Sequence, residues 1–128
     1  MNRAHDPNDV HAPLSNYTHG VEVPAGARWL YVSGQVGIGR DGKAASGFEA
    51  QAETAWQNLL AVLKSAGMGP GDLVKVTTYL TRREDIGANR AIRDKYMGGA
   101  RAASTMVLIS GLASPDLLIE VEAHAAKA

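Results

Sequence analysis

From Leu117 to Ala125 apolar and polar positions alternate strictly, with Ile119, Val121, Ala123 and Ala125 on one parity and Glu120, Glu122 and His124 on the other. Alternation of period two predicts a strand with one greasy face and one face that carries two carboxylates and an imidazole. Ahead of it, Ser104 to Ser110 is apolar on both parities, Thr105, Val107 and Ile109 against Met106 and Leu108. That pattern predicts a strand covered on both sides. A short turn bearing Gly, Ser and Pro joins the two runs. Arg28 to Val36 predicts a central strand, with Leu30, Val32, Gly34 and Val36 on one parity and Trp29, Tyr31, Ser33 and Gln35 on the other. Leu73 to Leu80 predicts another, with Val74, Val76 and Leu80 opposed to Lys75, Thr77 and Tyr79. A shorter edge strand over Tyr17 to Val23 ends at Pro24 and Gly26.

Two stretches change period. Phe48, Ala52, Ala55, Trp56, Leu59, Leu60 and Leu63 recur at helical spacing, behind Ser46 and Glu49 in the arrangement of a capping box. Gly67 and Pro70 end this helix after Ala66. Thr81 with Glu84 predicts a second capping box and a helix through Met97, closed by Gly98 and Gly99. Ile86, Asn89, Ile92 and Tyr96 share its apolar face; the Asn89 amide there needs either a loop carbonyl or a ligand as its partner. The order strand, strand, helix, strand, helix, strand, strand predicts an α+β domain in which both helices cover one face of the sheet. The covered face takes Leu30, Val32, Val74 and Val76. The other takes Trp29, Tyr31, Tyr79, Met106 and Leu108 beside Ser33, Gln35, Lys75, Thr77, Glu120, Glu122 and His124. Such a mixed face calls for cover from further copies of the chain, with the polar groups lining clefts between subunits.

The length of 128 residues with 45% apolar side chains fits one domain over residues 15–128. Residues 1–14 are polar and aperiodic and read as a loosely held arm. Thirteen basic and thirteen acidic side chains cancel, which argues against nucleic acid or an anionic membrane as partner. The absence of cysteine removes disulfides and thiolate chemistry, and no His/Asp set has metal-ligand spacing. No apolar run reaches the roughly 20 residues of a membrane span and no leader pattern is present, so a cytoplasmic protein is expected. The glycines at 37, 39 and 42 lack the Lys-Ser/Thr ending of a phosphate loop. Ser33 has no His/Asp partner spacing that would make it a nucleophile.

Several segments together resemble a known family. They are Ser33-Gly34-Gln35-Val36-Gly37, Gln57-Asn58-Leu59, Gly67-Met68, Asp72-Leu73-Val74-Lys75-Val76-Thr77 with Tyr79, then Asn89, Tyr96, and Ile119-Glu120-Val121-Glu122-Ala123. In order and spacing the chain resembles the reactive-intermediate deaminases, the RidA/YjgF/UK114 family, historically labelled endoribonuclease-like. The resemblance implies a chorismate-mutase-like α+β fold and a homotrimer with sheets facing inward and small-molecule pockets between subunits. It implies hydrolysis of 2-imino or enamino acids to 2-keto acids and ammonia, without metal or cofactor. A non-catalytic trimer that binds a small metabolite is the alternative.

The same resemblance places Glu120 at the family glutamate that positions water, Tyr17 at the N-terminal pocket tyrosine and Asn89 at the family's helix position. Ser33 and Gln35 would frame the cleft. A backbone group near Val107 or Ser104 would hold a substrate oxygen. The pattern breaks where the catalytic branch carries Pro-Ala-Arg-Ser, because the alignment puts Ser104 at the arginine that binds the substrate carboxylate. Arg101, three residues earlier, is the candidate replacement. Losing a charge-assisted pair costs about 2 kcal/mol, or about thirtyfold in binding, so the expected substrate is an imine or enamine other than a simple 2-imino acid.

Overall fold

The computed structural model describes all 128 residues. Six strands and two helices follow in the order β1 (Arg3–His5), β2 (Gly20–Glu22), β3 (Arg28–Val36), α1 (Phe48–Ser65), β4 (Leu73–Leu80), α2 (Ile86–Met97), β5 (Ala103–Leu108) and β6 (Ile119–Lys127). β3, β6, β4 and β5 form one mixed sheet in that order, with β4 and β5 parallel and the other pairs antiparallel. The two apolar runs near the C-terminus, consecutive in sequence, therefore do not pair: β4 lies between them. Both helices pack on one face, as the element order predicts. Trp56, Leu59 and Leu63 of α1 are fully buried with Val76, Leu80, Ile119 and Val121 of the sheet. Trp56 belongs to this core, and its indole Nε1 has no hydrogen-bond partner there.

The helix starts differ from expectation. Ser46 makes no cap: α1 begins after Gly47, whose φ of 87° is a conformation that glycine adopts without the cost of a Cβ. Ahead of α2 a single tight turn over Arg83–Asp85 replaces the predicted Thr81 box, and the buried Asp85 accepts from Arg82 Nε at 2.8 Å and Nη2 at 3.0 Å. The helix ends are as read, with Gly98 left-handed at φ 57°.

The N-terminal segment is not a loose arm. β1 pairs with β2 in a two-stranded sheet, and Asn2 Nδ2 donates to the Ala126 carbonyl at 3.0 Å. Asp6 accepts from Thr18 Oγ1 and the His19 backbone N–H, each at 2.7 Å, and these bonds hold its carboxyl below the usual aspartate range. The predicted edge strand shrinks to Gly20–Glu22 and touches the main sheet through a bridge from Thr18 to Ala103.

Two bulges shift side-chain parity. Val32 pairs with Ala123 but Gln35 pairs with Val121, so Ser33 and Gly34 together face Glu122. Beyond that extra residue the predicted faces reverse: Gln35 stands in register with a core residue and Val36 with Glu120. In β4 the extra residue is Val74, between Leu73 paired to Ala125 and Lys75 paired to His124. Leu73 is therefore buried in the place predicted for Val74, which is half-buried. In β5, Met106 pairs with Thr78 and Leu108 with Leu80, both on the helix side, while Val107 pairs with Tyr79 on the open side. The placement of Met106 and Leu108 on the open face is thus corrected; β5 is apolar on both parities, so parity alone cannot orient it.

Candidate functional site

The open face of the sheet, free of helices, carries Trp29, Tyr31, Lys75, Thr77, Tyr79, Thr105, Val107, Glu120, Glu122 and His124. Trp29 and Tyr31 stack with ring centroids 6.2 Å apart, and His124 meets Tyr31 edge-on at 4.9 Å. Trp29 is 48% and Tyr31 70% exposed. Lys75 Nζ donates to Thr105 Oγ1 at 2.6 Å. The Tyr79 hydroxyl donates to Glu122, and that bond raises the phenol above its ordinary pKa.

Glu120 differs from its neighbours. Its carboxylate makes no hydrogen bond and no ion pair within the subunit, and it lines a shallow hollow with Tyr79, Glu122, Ile109 and Leu112. Glu120 also lies over bare backbone, since a Cβ built on Gly34 would fall 1.7 Å from Glu120 Oε2. Two polar side chains of α1 fix the segments on either side. Gln51, buried, donates to the carbonyls of Ala45 and Asp116 at 3.1 and 2.8 Å and accepts from the Leu118 N–H at 2.8 Å. Asn58 Nδ2 donates to the carbonyls of Val36 and Ile38 at 3.3 and 2.9 Å. The helix thereby anchors the entry to β6 and the exit of β3, the two strands that hold Glu120 and Gly34. Their burial needs these partners, because an unmet amide inside the protein costs about 1–3 kcal/mol.

A second group of expected site residues lies on the other side of the sheet. Tyr17, Asn89 and Ser104 line one pocket of about 200 Å³ with Thr78, Arg90, Arg93 and Met106. Asn89 finds no loop carbonyl; its Nδ2 reaches only the Met106 sulfur, at 3.9 Å. The Tyr17 hydroxyl accepts from the Leu14 N–H at 3.2 Å. Arg101 does not line this pocket: its guanidinium donates to the Tyr17 carbonyl and lies 3.7 Å from Asp6. Within one subunit, then, Glu120, Ser33 and Val107 share the open face, Ser104, Asn89 and Tyr17 share the pocket behind it, and Gln35 folds back onto the Ser33 carbonyl at 3.1 Å.

Sequence reasoning missed Arg93, which is buried in that pocket. The signal was present: Arg93 stands four residues after Asn89 and seven after Ile86, on the stripe that faces the sheet. No cluster of metal-ligating side chains occurs in the chain, and no helix is long and apolar enough to cross a membrane.

Comparison with known proteins agrees with this architecture. The RutC family protein PYRAB12510 of Pyrococcus abyssi is 32% identical over 117 residues, covering 90% of this chain and 89% of that one. Mouse 2-iminobutanoate/2-iminopropanoate deaminase is 30% identical over 116 residues, covering 89% of this chain and 83% of its own. The crystal structure of the Rid-family protein YyfB from Yersinia pestis superposes with a TM-score of 0.89 at 32% identity, over 98% of each chain. The family model described as Endoribonuclease L-PSP matches residues 8–127, and with these relatives it makes the chain a member of the RidA/YjgF/UK114 family.

Proposed function

We propose that the protein hydrolyses small reactive imines or enamines to the carbonyl compound and ammonia, with Glu120 as the group that holds and activates water. Its relatives of mouse and Salmonella typhimurium bear the name 2-iminobutanoate/2-iminopropanoate deaminase, which supports the reaction class. The observation that carries the reading is the unengaged Glu120 carboxylate, set over the bare backbone of Gly34 while neighbouring Glu122 is tied to Tyr79. A carboxylate free of protein partners can accept a hydrogen bond from water and aim its oxygen at a C=N carbon. As the oxygen adds, the water proton passes to Glu120 and then to nitrogen. The carbinolamine collapses to the carbonyl and ammonia, so imine and water are consumed in equal amounts. β5 is the edge strand, and its unpaired outer backbone near Val107 offers N–H groups for a substrate oxygen. With serine at position 104 and Arg101 committed to the N-terminal segment, the favoured substrates are imines that need no strand arginine.

The working unit in this reading is a homotrimer. The exposed Trp29, Tyr31 and Val107 on the open face would meet the same face of other copies, and small-molecule clefts would form beside Glu120. The test is the decay of 2-iminobutyrate and bulkier imines generated in situ. Wild type should accelerate decay, and Glu120→Gln should lose about a hundredfold or more of the acceleration. No acceleration with any imine, together with saturable binding of a small ligand, would overturn the hydrolase in favour of a binding protein.

A further inference from the structure

We infer that the open face carries a proton switch, a claim that rests on the homotrimer proposed above and not on hydrolysis: the subunits hold together while the His124 imidazole is neutral and come apart when it is charged. Of the four histidines, His5 lies 3.5 Å from Glu22, His11 Nδ1 lies 2.8 Å from the Ala12 carbonyl, and His19 Nε2 lies 2.7 Å from the His11 carbonyl. His124 alone has neither ring nitrogen engaged; its ring partner is Tyr31, with centroids 4.9 Å apart and planes at 64°. His124 is also the one histidine on the face that further copies of the chain would cover.

The groups around His124 offer an imidazolium no counter-charge. On β3 it stands in register with Tyr31, which stacks on Trp29. On β4 it stands in register with Lys75, whose ammonium is held to Thr105 of β5. Along β6 the nearest charge on the same face is Glu122, tied to the Tyr79 hydroxyl. Another copy brings the same face, hence the same lysine and the same tied carboxylate. The carboxylate left over is Glu120, four residues from His124 and so roughly 13 Å along the strand. On a free subunit the exposed imidazole takes up a proton among waters. Under a second copy an imidazolium would lose that water beside a lysine and two rings, a cost that neutral imidazole escapes. The free subunit therefore binds more protons than the assembled one, so assembly strengthens as pH rises and weakens as pH falls, by at most about tenfold per subunit for each pH unit. Imidazole is the side chain whose charge ordinarily changes between about pH 5 and 8, which sets the span in which the switch acts.

Sedimentation of the full chain at micromolar concentration, in steps from about pH 8 to about pH 5.5, tests the switch above the range in which carboxylates ordinarily titrate. Circular dichroism at each step shows that the subunit stays folded. Wild type should pass from trimer to monomer across this span, its dissociation constant rising by about a hundredfold or more. His124→Gln, which cannot take the charge, should stay trimeric throughout, and so should His124→Phe, which fills the place with an uncharged ring. Either variant suffices if the other fails to assemble. A wild type that is equally trimeric at both ends, or tighter at the acid end because a carboxylate of another copy meets His124, would overturn the switch and leave the trimer standing. A monomer at every pH would overturn both. Acid dissociation that persists in both variants would place the sensitivity in His5, His11 or His19 and overturn the assignment to His124.

Discussion

Glu120 occupies the space that a side chain at position 34 would fill: a Cβ on Gly34 would meet Oε2 at 1.7 Å and Cδ at 2.6 Å. The clash involves the far end of a flexible side chain and not backbone, and Gly34 has no positive φ that alanine would strain. Gly34→Ala should therefore fold with a stability change within about 1 kcal/mol, while the carboxylate moves off its position. If Glu120 places water, a displacement of this size costs about tenfold to a hundredfold in imine hydrolysis. The double variant Gly34→Ala/Glu120→Gln should be no worse than Glu120→Gln alone, because both remove the same placed group. Additive losses in that cycle would mean that Gly34 acts on activity by another route.

Gly37, three residues on, should behave in the opposite way. A Cβ there would lie 2.4 Å from Gln51 Cβ and 2.5 Å from its Cα, on the backbone of α1. Helix and strand must separate to admit it, and the Gln51 bonds to Ala45, Asp116 and Leu118 stretch with them. Gly37→Ala should destabilise by about 2–3 kcal/mol, read as a lowered denaturant midpoint. The comparison with Gly34→Ala distinguishes a glycine kept for packing from one kept for the carboxylate above it.

Pairing and packing, which alternation along one strand does not encode, decide which faces of the sheet are legible in the sequence. Where alternation ran against a strong apolar contrast, as in Ile119, Val121 and Ala123 opposite Glu120 and Glu122, the faces were legible and the structure keeps them. Parity failed at Ser33–Gly34 and at Val74, because a bulge inserts one residue without leaving a compositional mark. It failed in β5 because Met106, Val107 and Leu108 are all apolar, and only pairing with β4 decides that Met106 joins the helices. Arg93 is absent from the predicted apolar face, although its spacing from Asn89 puts it on the buried stripe. Capping patterns at Ser46 and Thr81 were over-read: a serine and a glutamate at the right separation do not form a cap when Gly47 turns the chain first.

Acid should weaken the contact between the helices. Glu53 on α1 accepts hydrogen bonds from the Tyr96 hydroxyl and from Lys95 Nζ on α2, and Gln57 Nε2 donates to the same hydroxyl at 3.0 Å. These bonds, the tyrosine's first, hold the Glu53 carboxyl below its ordinary value of 4.5. A carboxyl lowered in the folded state binds fewer protons than in the unfolded chain, so its stabilisation is present above pH 4.5 and is lost as pH falls through the lower folded value. Urea midpoints measured from pH 6 downward should drop more steeply for wild type than for Glu53→Gln. Parallel curves would show that the bonds to Tyr96 and Lys95 contribute nothing to the acid dependence.

The aromatic pair on the open face bears on assembly. Trp29 and Tyr31 stack on each other with His124 against Tyr31, yet they stand 48% and 70% exposed on a sheet face that no helix covers. Nearby charges do not dilute this patch as they do on a solvated sheet: Lys75 is turned onto Thr105, and Glu122 onto Tyr79. Burying rings of this size would contribute roughly 25 cal/mol for each Å² removed from water, repeated at every contact of the proposed trimer. Tyr31→Asp places a charge where each copy would meet the next, and its cost falls on association, since Tyr31 makes no contact with the core beneath the helices. Sedimentation at micromolar concentration should show three subunits for wild type and one for a folded Tyr31→Asp. A wild-type monomer would leave the face to solvent, and with it would go the clefts on which the proposed hydrolysis depends.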